Sequence, residues 1–140
     1  MVYVDTSVVV ALLTLEPSTE AVVAWFSELN EIPVSSDWLL TEFSSAISIK
    51  VRTGQLADVD SKVVHREFKA LLSGGLRLVS VSRLAFKAAA DLTQSHLHGL
   101  RSGDSLHLAI AQEYGARTIA TLDGTMAKNA KHLKLTTVHF

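Results

Sequence analysis

The 140-residue chain carries thirteen basic and fourteen acidic residues, for a formal charge of −1, and 48% of it is hydrophobic. It has no cysteine, which excludes disulfides, zinc thiolates and thiol nucleophiles. The balanced charge excludes an overall basic field of the kind many nucleic-acid binders carry, though not a local site.

The length suits a single domain over residues 1–140, able to bury roughly two-thirds of the surface its unfolded chain exposes. No apolar run approaches a membrane span. The N-terminal stretch contains Asp5 and lacks a basic region, so it does not read as a signal peptide, and a cytoplasmic protein is the expectation.

Val2-Tyr3-Val4 is a short β-branched and aromatic run that ends in Asp5-Thr6-Ser7, with an apolar helical pattern from Val8 to Leu15 behind it. Thr6 or Ser7 can cap that helix, and Asp5 can itself be a cap or turn residue. Pro17 disfavours helix at Glu16, and Ser18 can start a second helix from Thr19 to about Asn30. Ile32-Pro33-Val34-Ser35 reads as a second strand whose proline suggests a sheet edge or a strand start.

Ser36 or Asp37 then caps a third helix, Trp38 to Arg52, closed by Thr53-Gly54. Asp58 or Asp60 opens a fourth, running to Leu72. Leu76 to Val81 reads as a strand, and Ser82 caps a fifth helix to about Ser95. After a break at His98-Gly99, Ser102-Gly103-Asp104 leads a strongly apolar sixth helix that stops at Gly115, a left-handed cap. Thr118 to Thr121 is a strand, Thr125 to His132 a short basic helix, and Leu135 to Val138 a last strand. Strands separated by helices predict a mostly parallel sheet covered on both faces, with right-handed crossovers.

Four acids stand out against this pattern. Asp5 closes a buried strand, and in an open parallel sheet ligands bind beyond the carboxyl ends of the strands. Glu42 interrupts an apolar helix face formed by Trp38, Leu39, Ala46 and Ile49, where a glutamate is rarely fully buried without a partner. Its bland reading is a solvated boundary position. Asp104 starts the most apolar helix, where the dipole alone would favour an acid. Asp123 follows the strand Thr118 to Thr121, where Asp-Gly is also a common turn. Brought together, these carboxylates would repel and raise one another's pKa. A hard divalent cation relieves that repulsion, and oxygen-only ligands favour Mg²⁺ or Mn²⁺ over zinc. Such an ion polarises phosphoryl oxygens, so the combination points to metal-dependent phosphodiester hydrolysis.

The order Val4-Asp5-Thr6-Ser7, then Leu39-Leu40-Thr41-Glu42, then Ser102-Gly103-Asp104-Ser105-Leu106-His107-Leu108-Ala109, then Ala120-Thr121-Leu122-Asp123 resembles the PIN-domain family over nearly the whole chain, and most of all its VapC-type toxin ribonucleases. The resemblance implies a three-layer α/β/α fold with a central, mostly parallel five-stranded sheet. It also implies a Mg²⁺- or Mn²⁺-dependent endoribonuclease that cuts single-stranded or looped RNA. By it, Asp5 and Asp104 hold metal, Asp123 completes the acidic pocket, and Glu42 positions metal or attacking water. Thr6, Ser7 and Thr121 orient the carboxylates. A homodimer and an antitoxin protein partner are further implications.

The remaining candidates read more plainly. His107 is one turn after Asp104 and reads as a core or boundary histidine. Asp58-Val59-Asp60 reads as a helix cap rather than a metal motif. Arg52, Arg101, Lys128 and Lys131 could touch RNA phosphates, but each reads first as a solvated charge. Trp25, Phe26 and Trp38 read as core or partner surface. A dehalogenase-like phosphatase would want an acid where Ser7 stands. A receiver domain would want one after the third strand, and a dinucleotide fold would want a glycine-rich first turn. The alternative from another class is a catalytically inactive PIN-fold module that only binds a partner.

Overall fold

A computed structural model describes residues 1–140. Five strands, β1 (Val2–Val4), β2 (Val34–Ser36), β3 (Arg77–Val79), β4 (Thr118–Ala120) and β5 (Thr136–Thr137), form one sheet in the order β3-β2-β1-β4-β5. Every pairing is parallel, with Tyr3 beside Val34 on one side and Ile119 on the other. The chain winds outward from β1 to β3, then crosses back to lay β4 against the free side of β1. The carboxyl ends of β1 and β4 therefore flank the point where the strand order reverses, which is where an open parallel sheet leaves a crevice.

Side chains alternate across a strand, and here the alternation sorts two cores. Val4 and Ala120 face one layer, made of α1 (Thr6–Leu13), α2 (Thr19–Ser27), α3 (Trp38–Arg52) and α4 (Asp58–Leu72). Tyr3, Val34 and Ile119 face the other, made of α5 (Arg83–Gln94), α6 (Ser102–Glu113) and α7 (Gly124–His132). The α/β/α architecture expected from the sequence is thus the one formed, with the sheet wholly parallel. No helix is long and apolar enough to cross a membrane.

Helix ends follow local chemistry. The side chain of Ser82 accepts the Ala85 N–H at 2.9 Å and starts α5 as expected. Gly115 has φ +69° just past α6, the left-handed stop that a residue without Cβ supplies cheaply. One expectation shifts: helix α1 begins at Thr6 rather than Val8, because Asp5 is its cap. Of the two readings of Pro33, a sheet edge or a strand start, the structure takes the second, and β2 lies inside the sheet. Pro33 precedes it and uses only its carbonyl, which accepts the Arg77 N–H at 3.0 Å, so the missing donor costs nothing there.

Helices α3 and α4 are joined by Phe43 and Phe68, whose rings stack at 4.0 Å and are both buried. Neither ring lines the cleft that holds Asp5, Glu42 and Asp104, so truncating Phe68 reports on the core. Phe68→Ala is expected to lower unfolding free energy by about 3–5 kcal/mol, the usual cost of deleting a buried phenyl ring, as read from urea titrations.

Candidate active site

Asp5 terminates β1 and is buried. A buried carboxylate needs donors, and the chain supplies them from three places. Ser7 Oγ donates to Asp5 Oδ1 at 2.7 Å and the Val8 N–H donates to the same oxygen at 3.3 Å. Thr121 Oγ1, at the end of β4, donates to Oδ2 at 2.9 Å. Burial pushes the Asp5 carboxyl above its ordinary value, and the charge of His107 with these hydrogen bonds offsets only part of that. The two hydroxyls are wired onward. Ser7 Oγ accepts the Leu122 N–H at 2.9 Å, and Thr121 Oγ1 accepts the Asp123 N–H at 3.0 Å.

Asp5, Glu42 and Asp104 line one cleft of about 450 Å³ with Thr6, Ser7, Trp38, His107 and Met126. Glu42 comes from α3 and Asp104 from the first turn of α6, so helices of opposite layers meet at the sheet's carboxyl edge. Asp104 Oδ2 accepts the Arg101 N–H at 3.2 Å, half of a capping box. Burial raises its carboxyl, the Arg101 N–H pulls it down, and the charges of Asp123 and then Glu42 push it up again. The net direction is upward.

Asp123 does not line this cleft. It caps α7, accepting the Met126 N–H at 2.7 Å, and stands on the wall of a neighbouring pocket with Lys128 and Lys131. It reaches the acids through Thr121, which it shares with Asp5, and through its charge on Asp104. Three of the four acids singled out in the sequence therefore converge, and the fourth borders them. Arg101, Arg52, Lys128 and Lys131 are exposed.

Glu42 is the better-held surprise. Its Oε2 accepts Thr6 Oγ1–H at 2.5 Å and lies 2.6 Å from His107 Nε2. Burial pushes its carboxyl up, but the hydrogen bond and charge of His107, then hydrogen bonding from Thr6 and the facing Trp38 indole, outweigh it and leave the group below its ordinary value. The Trp38 N–H is too poorly placed to close a full bond and has no other partner. His107 is buried, as a core histidine would be, but it is bonded to the acid rather than inert. The only sequence signal for that was its place one turn after Asp104. Gly103 matters for a steric reason: a Cβ there would collide with Glu42 Oε1 and sit 3.6 Å from Trp38 Nε1. A glycine lets α6 start against the Glu42 carboxylate.

No three of the chain's Asp, Glu and His side chains form a ready-made set of metal ligands. The chemistry of the acids nevertheless fits a hard divalent cation. Apart from His107, whose nitrogens contact Tyr3 and Glu42, the cleft offers carboxylate and hydroxyl oxygens, and a cation would relieve both the burial and the neighbouring charge that raise Asp104.

The family model described as PIN domain matches residues 2–132. No curated protein sequence matches the chain. Among solved structures it is similar to VapC20 of Mycobacterium tuberculosis, described as a sarcin–ricin loop cleaving toxin, with TM-score 0.75, 16% identity and coverage of 92% of this chain and 95% of that one. FitAcB from Neisseria gonorrhoeae superposes with TM-score 0.73 and 21% identity over 99% and 97% of the two chains. VapBC2 from Rickettsia felis, bound to a promoter DNA fragment, gives 0.66 and 17% over 99% and 98%. At these identities the likeness is one of fold.

The raised carboxyl of Asp104 has a consequence for stability. In the unfolded chain the group returns to the ordinary aspartate value, so the metal-free fold is undisturbed by it below that value and is increasingly destabilised as pH rises through the higher folded one. Glu42, lowered, acts in the opposite sense: its contribution is present above the ordinary glutamate value and lost as pH falls through the folded one. Asp104→Asn keeps a cap oxygen and removes the charge. In chelator the variant is expected to be at least as stable as wild type at neutral pH, with the difference closing as pH falls towards the ordinary aspartate range. Thermal melts of both proteins across that range check this, and a variant less stable at neutral pH would show that the cap outweighs the crowding.

Proposed function

Because the chain belongs to the PIN-domain family, we propose that it is a Mg²⁺- or Mn²⁺-dependent endoribonuclease acting on single-stranded or looped RNA, and the toxin of a toxin–antitoxin pair. The observation that carries this reading is the meeting of Asp5, Glu42 and Asp104 in one cleft at the reversal point of a parallel sheet, where burial first and neighbouring carboxylates second raise Asp104. The RNA target class and the toxin role are supported further by the fold shared with VapC20, a sarcin–ricin loop cleaving toxin.

In this reading Asp5 and Asp104 would hold the cation, joined from the neighbouring wall by the Asp123 oxygen that does not cap α7, and a divalent ion there would polarise phosphoryl oxygens and acidify water. The chain's own residues do the rest. Ser7, Thr121 and the Val8 N–H fix the Asp5 carboxylate, so its oxygens need not reorganise. Glu42, anchored through Oε2, offers Oε1 to hydrogen-bond and orient the attacking water. That water's oxygen forms a bond to phosphorus while the bond to the leaving ribose oxygen breaks, the water giving up a proton to solvent and the ribose oxygen taking one from it. The cleft is open and acidic, so the polyanionic strand is not attracted by the site itself, and the exposed Arg101, Lys128 and Lys131 around it are the phosphate contacts this reading assigns.

The same reading expects a homodimer and an antitoxin whose peptide lays apolar side chains along α1 to α4, where Val10, Ala46, Ile49 and Leu122 line a pocket next to the acids. An arginine or lysine from that peptide would substitute electrostatically for the cation. A second reading, a PIN-fold binding module without catalysis, draws on the absence of a preformed ligand set and on Asp123 being turned to cap α7.

Melts and RNA digestion together separate the two. Wild type is expected to cleave RNA only with Mg²⁺ or Mn²⁺ and to gain stability from the ion, about 2.7 kcal/mol at a hundredfold excess over its dissociation constant. Asp104→Asn should lose most of that gain together with cleavage. Equal metal response in both proteins and no digestion by either would establish the binding module instead.

Gly103 gives a test that spares every acid. Its backbone is not left-handed, so alanine fits the helix and is favoured there by propensity. Its methyl group would nevertheless press on Glu42. Gly103→Ala is expected to melt within a few degrees of wild type, about the spread a sub-kcal/mol change produces, yet to lose roughly tenfold or more in kcat, because small displacements of a catalytic group are costly.

A further inference from the structure

We propose that His107 is the positioning residue of this site: its ring, anchored on Tyr3 through Nδ1, donates from Nε2 to Glu42 Oε2 and clamps that carboxylate across the end of the sheet, leaving Glu42 Oε1 as the free acceptor. The consequence for cleavage rests on the nuclease reading above, but the clamp stands on geometry alone.

Tyr3 is buried on the central strand, and its phenol oxygen lies 3.1 Å from Ser36 Oγ and 2.8 Å from His107 Nδ1, so a fixed group holds that side of the ring. At the far side of the ring, Glu42 Oε2 lies 2.6 Å from Nε2 and already accepts the Thr6 hydroxyl. A carboxylate has no hydrogen to give, and two lone pairs would repel at that distance, so Nε2 carries the hydrogen. Thr6 Oγ1, 3.2 Å from Nε2, has spent its proton on Glu42 and can only accept. That side of the ring is therefore an N–H donor to the carboxylate. The acids whose charges lie around it are Glu42 on α3, Asp5 at the end of β1, whose carboxyl is pulled down by His107, and Asp104 one turn earlier on α6.

Glu42 belongs to the layer of α1 to α4 and His107 to the layer of α5 to α7, so this bond spans the two across the sheet end. With Oε2 taken by two donors, Oε1 accepts no full hydrogen bond from the protein and faces Gly103 at the start of α6. A carboxylate pinned by one oxygen presents the other in a fixed direction, which a merely core-filling histidine would not require.

The test begins on the wild-type full chain, labelled with ¹⁵N in its histidine rings and studied at neutral pH in chelator. The Nε2 of His107 is expected to carry a slowly exchanging hydrogen, and that hydrogen to exchange rapidly in Glu42→Ala. A bare Nε2 on His107 in wild type would overturn the proposal. Turnover gives the second arm. His107→Leu keeps the bulk and removes both ring nitrogens, whereas His107→Gln keeps an amide donor for Glu42. The leucine variant should lose about tenfold to a hundredfold in kcat with KM for a short single-stranded RNA little changed, and glutamine should restore part of it. Wild-type kcat in a folded leucine variant would make His107 core filling and end the proposal. If wild type cleaves no RNA, the nuclease reading fails, and the ring-nitrogen signals still decide the clamp.

Discussion

Asp5 carries a carboxylate buried at the carboxyl end of the central strand, where an unpaired charge would cost several kcal/mol. Three local demands follow from it. A hydroxyl must stand two residues on, which Ser7 supplies; a helix must begin at once, so that the Val8 N–H points back; and a second strand must end alongside, bringing Thr121. The last demand couples the acid to topology, because only the β1–β4 pairing brings Thr121 to it. Capping and site formation are therefore one event at Asp5 rather than rival uses of the residue.

The second constraint is that the site is assembled from both helical layers. α3 carries Glu42 and α6 carries Asp104 and His107, and the layers are otherwise separated by the sheet. Close approach of α6 to the Glu42 carboxylate depends on Gly103, which has no side chain to interpose. The chain of Ser36, Tyr3, His107, Glu42 and Thr6 then runs from beneath the sheet to the cleft with every buried polar atom along it engaged. Buried polar networks of this kind hold their members in one arrangement only when fully satisfied. The unpaired Trp38 indole at its edge marks where the protein's own donors end and the cleft begins.

Much of this was legible before folding, because the signals were periodic and local. The bounds of α3 and α4 follow from apolar spacing and their flanking breakers, and Ser82 and Gly115 announce a start and a stop. The proline near β2 was ambiguous, since the sequence shows the missing N–H but not whether a neighbour needs it; the sheet order put β2 inside with Pro33 just clear of the ladder. Asp123 was read as completing the pocket, with a turn aspartate as its other reading. In the fold its carboxylate turns to the Met126 N–H, a choice between a local cap and a distant neighbour that spacing cannot reveal.

What the chain determined by itself was the set of elements, their alternation, and the oxygen-only acids at strand and helix ends, since each depends on residues a few positions apart. Tertiary structure alone decided which acids share a cleft and what holds them. Tyr3 and His107 are 104 positions apart, Glu42 and His107 are 65 apart, and Asp5 and Thr121 are 116 apart. No local pattern encodes such pairings, because hydrogen bonds across the sheet end exist only once two layers have packed and fixed the direction of each side chain.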